Sequence, residues 1–187
     1  MEKAAEIGEQ ELAALCARGE QSARKELYMR YAARLSALCS RYAGGPAEGM
    51  DLMHDTMFKV FGAIGKYQYR GEGSLYAWIC RMAVHLAIDR LRKEKKLEIS
   101  PLDDRLPEVK APEPADIDRI PASVLNGFIA ELPAMKRVIF NMACVEDLPH
   151  KEIAGQLGIT EGASRSMLTK AKKTLAGVIK DYMDKNK

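Results

Sequence analysis

The sequence predicts an all-α protein: two small helical domains joined by a flexible, acidic, proline-rich linker. Two observations predict it. Apolar residues recur at helical spacing through most of the chain, while alternating β-branched runs are missing. From Glu98 to Pro121 that periodicity stops. Five of the eight prolines fall there, with seven acids against three bases, so the stretch has no core of its own and reads as a tether. The expected division is residues 1–97, linker 98–121, and residues 122–187.

Each helix carries its own signals. EQELAALCARG and SARKELYMRYAARLSALCSRYAGG read as the first two, the second stopped by Gly-Gly-Pro. MDLMHDTMFKVFGAIGKY reads as the third. The glycine-rich turn YRGEGS follows, and Ser74 is placed to cap LYAWICRMAVHLAIDRLRKEKK. On that helix Leu75, Trp78, Ile79, Met82 and Leu86, with Leu97 as a candidate continuation, follow a core stripe, which assigns Trp78 to the core. Beyond the tether, SVLNGFIAEL, AMKRVIFNMACVE, HKEIAGQLG and EGASRSMLTKAKKTLAGVIKDYM are helical by the same periodicity.

Composition narrows the function. Apolar residues at 47% and charged residues at 29% exclude general disorder. A net charge of +3 excludes a uniformly basic coat, but removing the tether's net −4 leaves about +7 on the flanking blocks. Charge is therefore segregated. No apolar run approaches the ~20 residues that span a bilayer, and MEKAAEIGEQE lacks a signal-peptide core, so a cytoplasmic chain without direct membrane insertion is expected. Cys16, Cys39, Cys80 and Cys144 lie far apart without a CxxC pair and read as reduced, mostly buried thiols. With His54, His85 and His150 they lack zinc-ligand spacing. No metal, cofactor or enzymatic activity is expected.

The stretch HKEIAGQLGITEGASRSMLTKAKK carries the sharpest signal. Ile153, Ala154 and Leu157 form one apolar face, and Ala154 is small enough to let another helix cross closely. Gly158 supplies the positive φ of a tight turn, Ile159 plugs the corner, and Thr160 is the expected N-cap of the next helix. There Ser164, Leu168, Ala171, Leu175 and Val178 run along the inward face. Arg165, Ser166, Thr169, Lys170 and Lys173 point elsewhere, and no carboxylate appears between Glu161 and Asp181. Hydroxyl donors and cations on one face suit a groove lined with phosphates. The pattern is a helix-turn-helix.

A second cationic helix lies in the first block. It ends in Arg90, Arg92, Lys93, Lys95 and Lys96, with only Asp89 and Glu94 against them. Arg81, His85, Asp89 and Arg92 share one of its faces. The loop before it holds Tyr67, Tyr69, Gly71 and Gly73, which can hold phosphates and capture a base.

In this order the motifs MDLMHDTMFKVF, YRGEGSLYAWICRMAVHLAIDRLRK and ELPAMKRVIFNMACVEDLPHKEIAGQLGITEGASRSMLTKAKKTL resemble the extracytoplasmic-function sigma factors of bacterial RNA polymerase. The resemblance covers most of residues 20–180. It implies a helical region 2 domain, a linker in the polymerase RNA channel, and a helical region 4 domain. Core RNA polymerase, through its β′ coiled coil and β flap, promoter DNA and an anti-sigma factor are the implied partners. Asp51, His54, Asp55 and Phe58 would dock the β′ coiled coil. Tyr69, Arg70 and Gly71 of the loop, with Arg81, His85, Asp89 and Arg92, would recognise and melt the −10 element. Arg165, Ser166, Thr169, Lys170 and Lys173 would read the −35 element. His54, Asp55, Met57, His85, Ala163, Ser164 and Met167 depart from the family's usual residues. A stand-alone helix-turn-helix regulator is the competing reading.

Overall fold

The computed structural model describes residues 7–94, 117 and 119–186. Among them the helices run α1 (Glu9–Ala17), α2 (Gln21–Ala43), α3 (Pro46–Ala63), a 3-10 turn (Ile64–Lys66) and α4 (Ser74–Lys93). Then follow α5 (Ala122–Ala130), α6 (Ala134–Phe140), a π-helical turn (Asn141–Val145), α7 (His150–Leu157) and α8 (Glu161–Lys185). No strand occurs among the described residues. The tether from Glu98 to Pro121 lies outside them, apart from Ile117 and residues 119–121.

Two compact units emerge: Met1–Ser40 with Pro46–Ala87, and Arg41–Gly45 with Ile88–Lys187. In the first, Leu12, Leu27, Leu35, Leu52, Val60, Leu75 and Ile79 are buried from solvent. Gly44, at φ 94°, stops α2, and Pro46 starts α3 four residues before the apolar pattern that announces it. The fixed φ of proline and its missing N–H suit a first helical position, so the helix starts there. Gly49 then permits a close crossing: a Cβ there would lie 2.5 Å from the Ser40 Cα.

Two expectations about α4 are corrected. Its buried line is Leu75, Ile79, Ala83, Val84, Ala87, Ile88 and Leu91, with Trp78, Met82 and Leu86 only half-buried beside it. The small Ala83 and Ala87 take buried places on that line, and the bulky Trp78, Met82 and Leu86 stand at its border. The cap also differs. The N–H of Leu75 donates to Glu9 Oε2 at 3.1 Å, so the carboxylate of α1 caps α4 in place of Ser74. Glu9, 5% exposed, also accepts from the Tyr31 hydroxyl at 2.8 Å. Burial first, and then this carboxylate, push the Tyr31 phenol well above its ordinary range.

In the second unit α8 packs on α6 and α7. Leu132, Ala171 and Leu175 form a buried cluster against Phe128, Ile129 and Phe140. The expected helix AMKRVIFNMACVE breaks into α6 and the π-turn, where the N–H of Glu146 donates to the Asn141 carbonyl at 3.0 Å. The cysteines also depart from expectation: Cys16 and Cys39 are buried, Cys80 half-buried and Cys144 exposed.

Candidate nucleic-acid interface

The helix-turn-helix forms as its sequence predicts. Ile153, Ala154 and Leu157 are buried. Gly158 adopts φ 70° and ψ 34°, the left-handed turn glycine reaches without steric cost. Its N–H and that of Ile159 both donate to the Ala154 carbonyl, at 2.9 and 3.1 Å. Thr160 Oγ1 accepts from the N–H of Ala163 at 3.1 Å, satisfying one of α8's free donors.

Ser164 is fully buried, and its hydroxyl lies 2.9 Å from His150 Nδ1. It ties the start of α7 to α8 and faces away from solvent. Ala171 and Leu175 are buried as expected, but Leu168 and Val178 are only half-buried, and Ala176 and Ile179 complete the inward side. Arg165, Ser166, Thr169 and Lys173 are exposed and Lys170 is half-buried, all on the opposite face. Arg165 pairs with Glu161 one turn earlier. Thr169 Oγ1 donates to the Arg165 carbonyl at 3.1 Å. Lys172, not singled out in the sequence, is also exposed.

In the first unit the residues 67–74 are organised around one hydroxyl. Ser74 Oγ donates to the Gly71 carbonyl at 2.6 Å, lies 2.6 Å from the Tyr67 hydroxyl, and accepts from the N–H of Arg70 at 3.2 Å. Gly71 and Gly73 take positive φ values of 111° and 81°. The Tyr67 ring tilts against Trp78, with centroids 5.5 Å apart. Tyr67, Ser74 and Trp78 line a cavity of about 370 Å³ with Lys66, Arg70 and Arg81 as its cations. Trp78 is therefore a wall of this cavity, a role its place beside the apolar stripe conceals.

Tyr69 is 40% exposed, and Arg70 is also exposed, as are Arg81, His85, Asp89 and Arg92 along α4. Asp89 and Arg92 face each other at 3.8 Å, so part of that cationic face is internally compensated. An aromatic wall beside cations is the chemistry that holds unpaired nucleotides.

The face of α3 is different. Asp51, His54, Asp55 and Phe58 follow one helical stripe, and all are exposed. Phe58 is 82% exposed, the most of any large apolar side chain among the described residues. An apolar ring flanked by carboxylates has the make-up of a protein-binding surface.

Residues 27–97 match the family model of Sigma-70 region 2, and residues 125–175 that of Sigma-70 region 4. Regions 2 and 4 in this order define a sigma factor of the sigma-70 class, a class that is not enzymatic. Among curated proteins the chain is similar to ECF RNA polymerase sigma factor SigE of Mycolicibacterium smegmatis, 27% identical over 177 residues. That match covers 91% of this chain and 66% of the relative's own length. ECF RNA polymerase sigma factor SigF of Caulobacter vibrioides is 29% identical over 161 residues, covering 84% of this chain and 86% of that one. A solved structure of CnrH in complex with the cytosolic domain of CnrY shares the fold at TM-score 0.50 and 17% identity, covering 91% and 96% of the two chains. The chain belongs to the extracytoplasmic-function sigma factors, and it is an alternative sigma factor that directs transcription initiation with core RNA polymerase at promoter DNA.

Proposed function

We propose that the work of initiation is divided among three surfaces of this chain. Asp51, His54, Asp55 and Phe58 on α3 dock the β′ coiled coil of core polymerase. The loop with Tyr69, Arg70 and Gly71, together with Arg81, His85, Asp89 and Arg92, recognises and opens the −10 element. Arg165, Ser166, Thr169, Lys170 and Lys173 on α8 read the −35 element, with the region 4 block also meeting the β flap. The observation that carries this reading is the coexistence of a base-sized aromatic and cationic cavity with a helix-turn-helix. A simple regulator needs only the second.

Residues 1–97 and 122–187 would form the two working domains. The 24 residues of the tether reach up to ~80 Å when extended, enough for the ~70 Å of two DNA turns between promoter elements. The chain would act in the cytoplasm, without catalysis of its own, and be held inactive by an anti-sigma factor. No described helix is long and apolar enough to cross a membrane.

Run-off transcription tests the reading. Core polymerase from the same bacterium plus this chain should initiate at a two-element promoter, and neither should do so alone. Specific duplex binding without any stimulation of polymerase would favour a stand-alone regulator.

A further inference from the structure

Glu161 opens α8 and is the last carboxylate before Asp181, an acid at the head of a helix face otherwise made of hydroxyls and cations. Its Oε1 accepts from Nη2 of Arg165, one turn further on. Both side chains are exposed, Arg165 at 64% and Glu161 at 46%, so packing holds neither of them in place. We propose that the two act as one unit that reads a single G·C base pair of the −35 element, Arg165 taking the guanine and Glu161 the amino group of the paired cytosine. The inference rests on the −35 role proposed above for Arg165 and adds Glu161 as a second determinant of specificity.

Groove chemistry selects the base pair. Across the major groove a G·C pair presents two acceptors, guanine N7 and O6, and then a donor, the cytosine N4 amino group. Neither an A·T pair nor the same pair reversed gives that order. A guanidinium carries its donors in a fixed fork, and a carboxylate accepts through two oxygens. Side by side they offer donor, donor, acceptor, the complement of the G·C edge. The contact between them joins one oxygen to one nitrogen, so each group keeps bonding capacity for a base.

Placement agrees with that chemistry. The N-terminal residues of a recognition helix are the ones that meet base edges, and Glu161 and Arg165 stand in the first two turns of α8. Their neighbours Gly162 and Ser166 are exposed and small, so neither screens the pair from a groove. A lone carboxylate would be repelled by the phosphates that flank the groove, and the arginine offsets its charge. Folding gives little reason for the acid, because an exposed ion pair one turn apart adds little stability. Base readout does.

Holoenzyme and its preferred −35 duplex, carrying one modified base at a time, test the assignment. N4-methylcytosine still pairs with guanine but loses the amino hydrogen in the major groove, and 7-deazaguanine loses N7. In wild type one G·C pair should respond to both, each change weakening binding about ten-fold. E161A should melt like wild type and bind the unmodified duplex about ten-fold more weakly. At that pair it should ignore N4-methylcytosine and still respond to 7-deazaguanine, whereas R165A should ignore 7-deazaguanine. Wild-type tolerance of N4-methylcytosine throughout the element would overturn the paired reading, and so would E161A that keeps the wild-type response to it. Loss of both responses in E161A would also overturn it, by making Glu161 only a support for Arg165. Unchanged −35 preference in R165A would instead overturn the −35 role itself.

Discussion

The hydroxyls of Tyr67 and Ser74 lie 2.6 Å apart, and the same Ser74 oxygen holds Gly71 and Arg70. One side chain thus fixes the turn that carries two positive-φ glycines. Ser74→Ala is expected to loosen the loop and lower open-complex yield, by about 1 kcal/mol or roughly five-fold. Permanganate reactivity of unpaired thymines would measure it, and a pre-melted bubble template should restore transcription. Ser74→Thr, which keeps the hydroxyl, should recover most of the yield. Normal opening by Ser74→Ala would reduce the network to a helix connector.

On α8, burial separates two serines. Ser166→Ala or Arg165→Ala should alter −35 preference by ~1–3 kcal/mol, whereas Ser164→Ala should leave preference intact and cost about 1 kcal/mol of stability through His150. Competition binding with −35 variants, beside thermal melting, distinguishes the two outcomes.

Lys170→Ala and Lys173→Ala should weaken promoter binding almost independently of sequence. Each should reduce the slope of log affinity against log salt by ~1. A slope unchanged in both would remove α8 from the phosphate contacts.

Phe58 has almost nothing to lose on the folding side, being 82% exposed. Phe58→Ala should therefore melt like wild type and bind core polymerase ≥2 kcal/mol more weakly, as a central aromatic anchor does. Reversing Asp51 and Asp55 to lysine together should abolish co-purification with polymerase while leaving helical content intact. Undiminished co-purification of both variants would move the docking surface elsewhere.

The Tyr31–Glu9 bond predicts a pH signature. Because the Tyr31 phenol is raised in the folded state, the stabilisation it brings is fully present below the ordinary tyrosine value of ~10. It is lost only as pH climbs through the raised value. The gap in melting temperature between wild type and Tyr31→Phe should be constant from neutral pH to about 9 and close above 10. A gap that narrows near neutrality would contradict the bond.

Local signals were the legible ones. Gly158 and Thr160 act within a few residues of themselves, so turn and cap chemistry located them. The stripe Asp51, His54, Asp55 and Phe58 was implied by the family resemblance, and all four residues are exposed on α3. Trp78 was misread because its helix position borders the apolar line, and only the approach of Tyr67 makes it a cavity wall. The Glu9 cap was invisible for a different reason: its partner Leu75 lies 66 residues away, and no periodicity encodes that pairing. The π-turn likewise follows a helical pattern that continues unbroken through Asn141 and Met142.

Glu9 also bears on where this protein's promoter-opening part begins. A chain started at residue 27, where the family match starts, would retain every residue that defines region 2 and still lack the carboxylate that closes α4. The N–H of Leu75 and the Tyr31 hydroxyl would then both need new partners. Shortened versions guided by family boundaries alone would lose Leu12 and Cys16 from the core together with this helix end, and a resulting defect in opening promoters would look like a fault in DNA recognition when its origin is a missing helix.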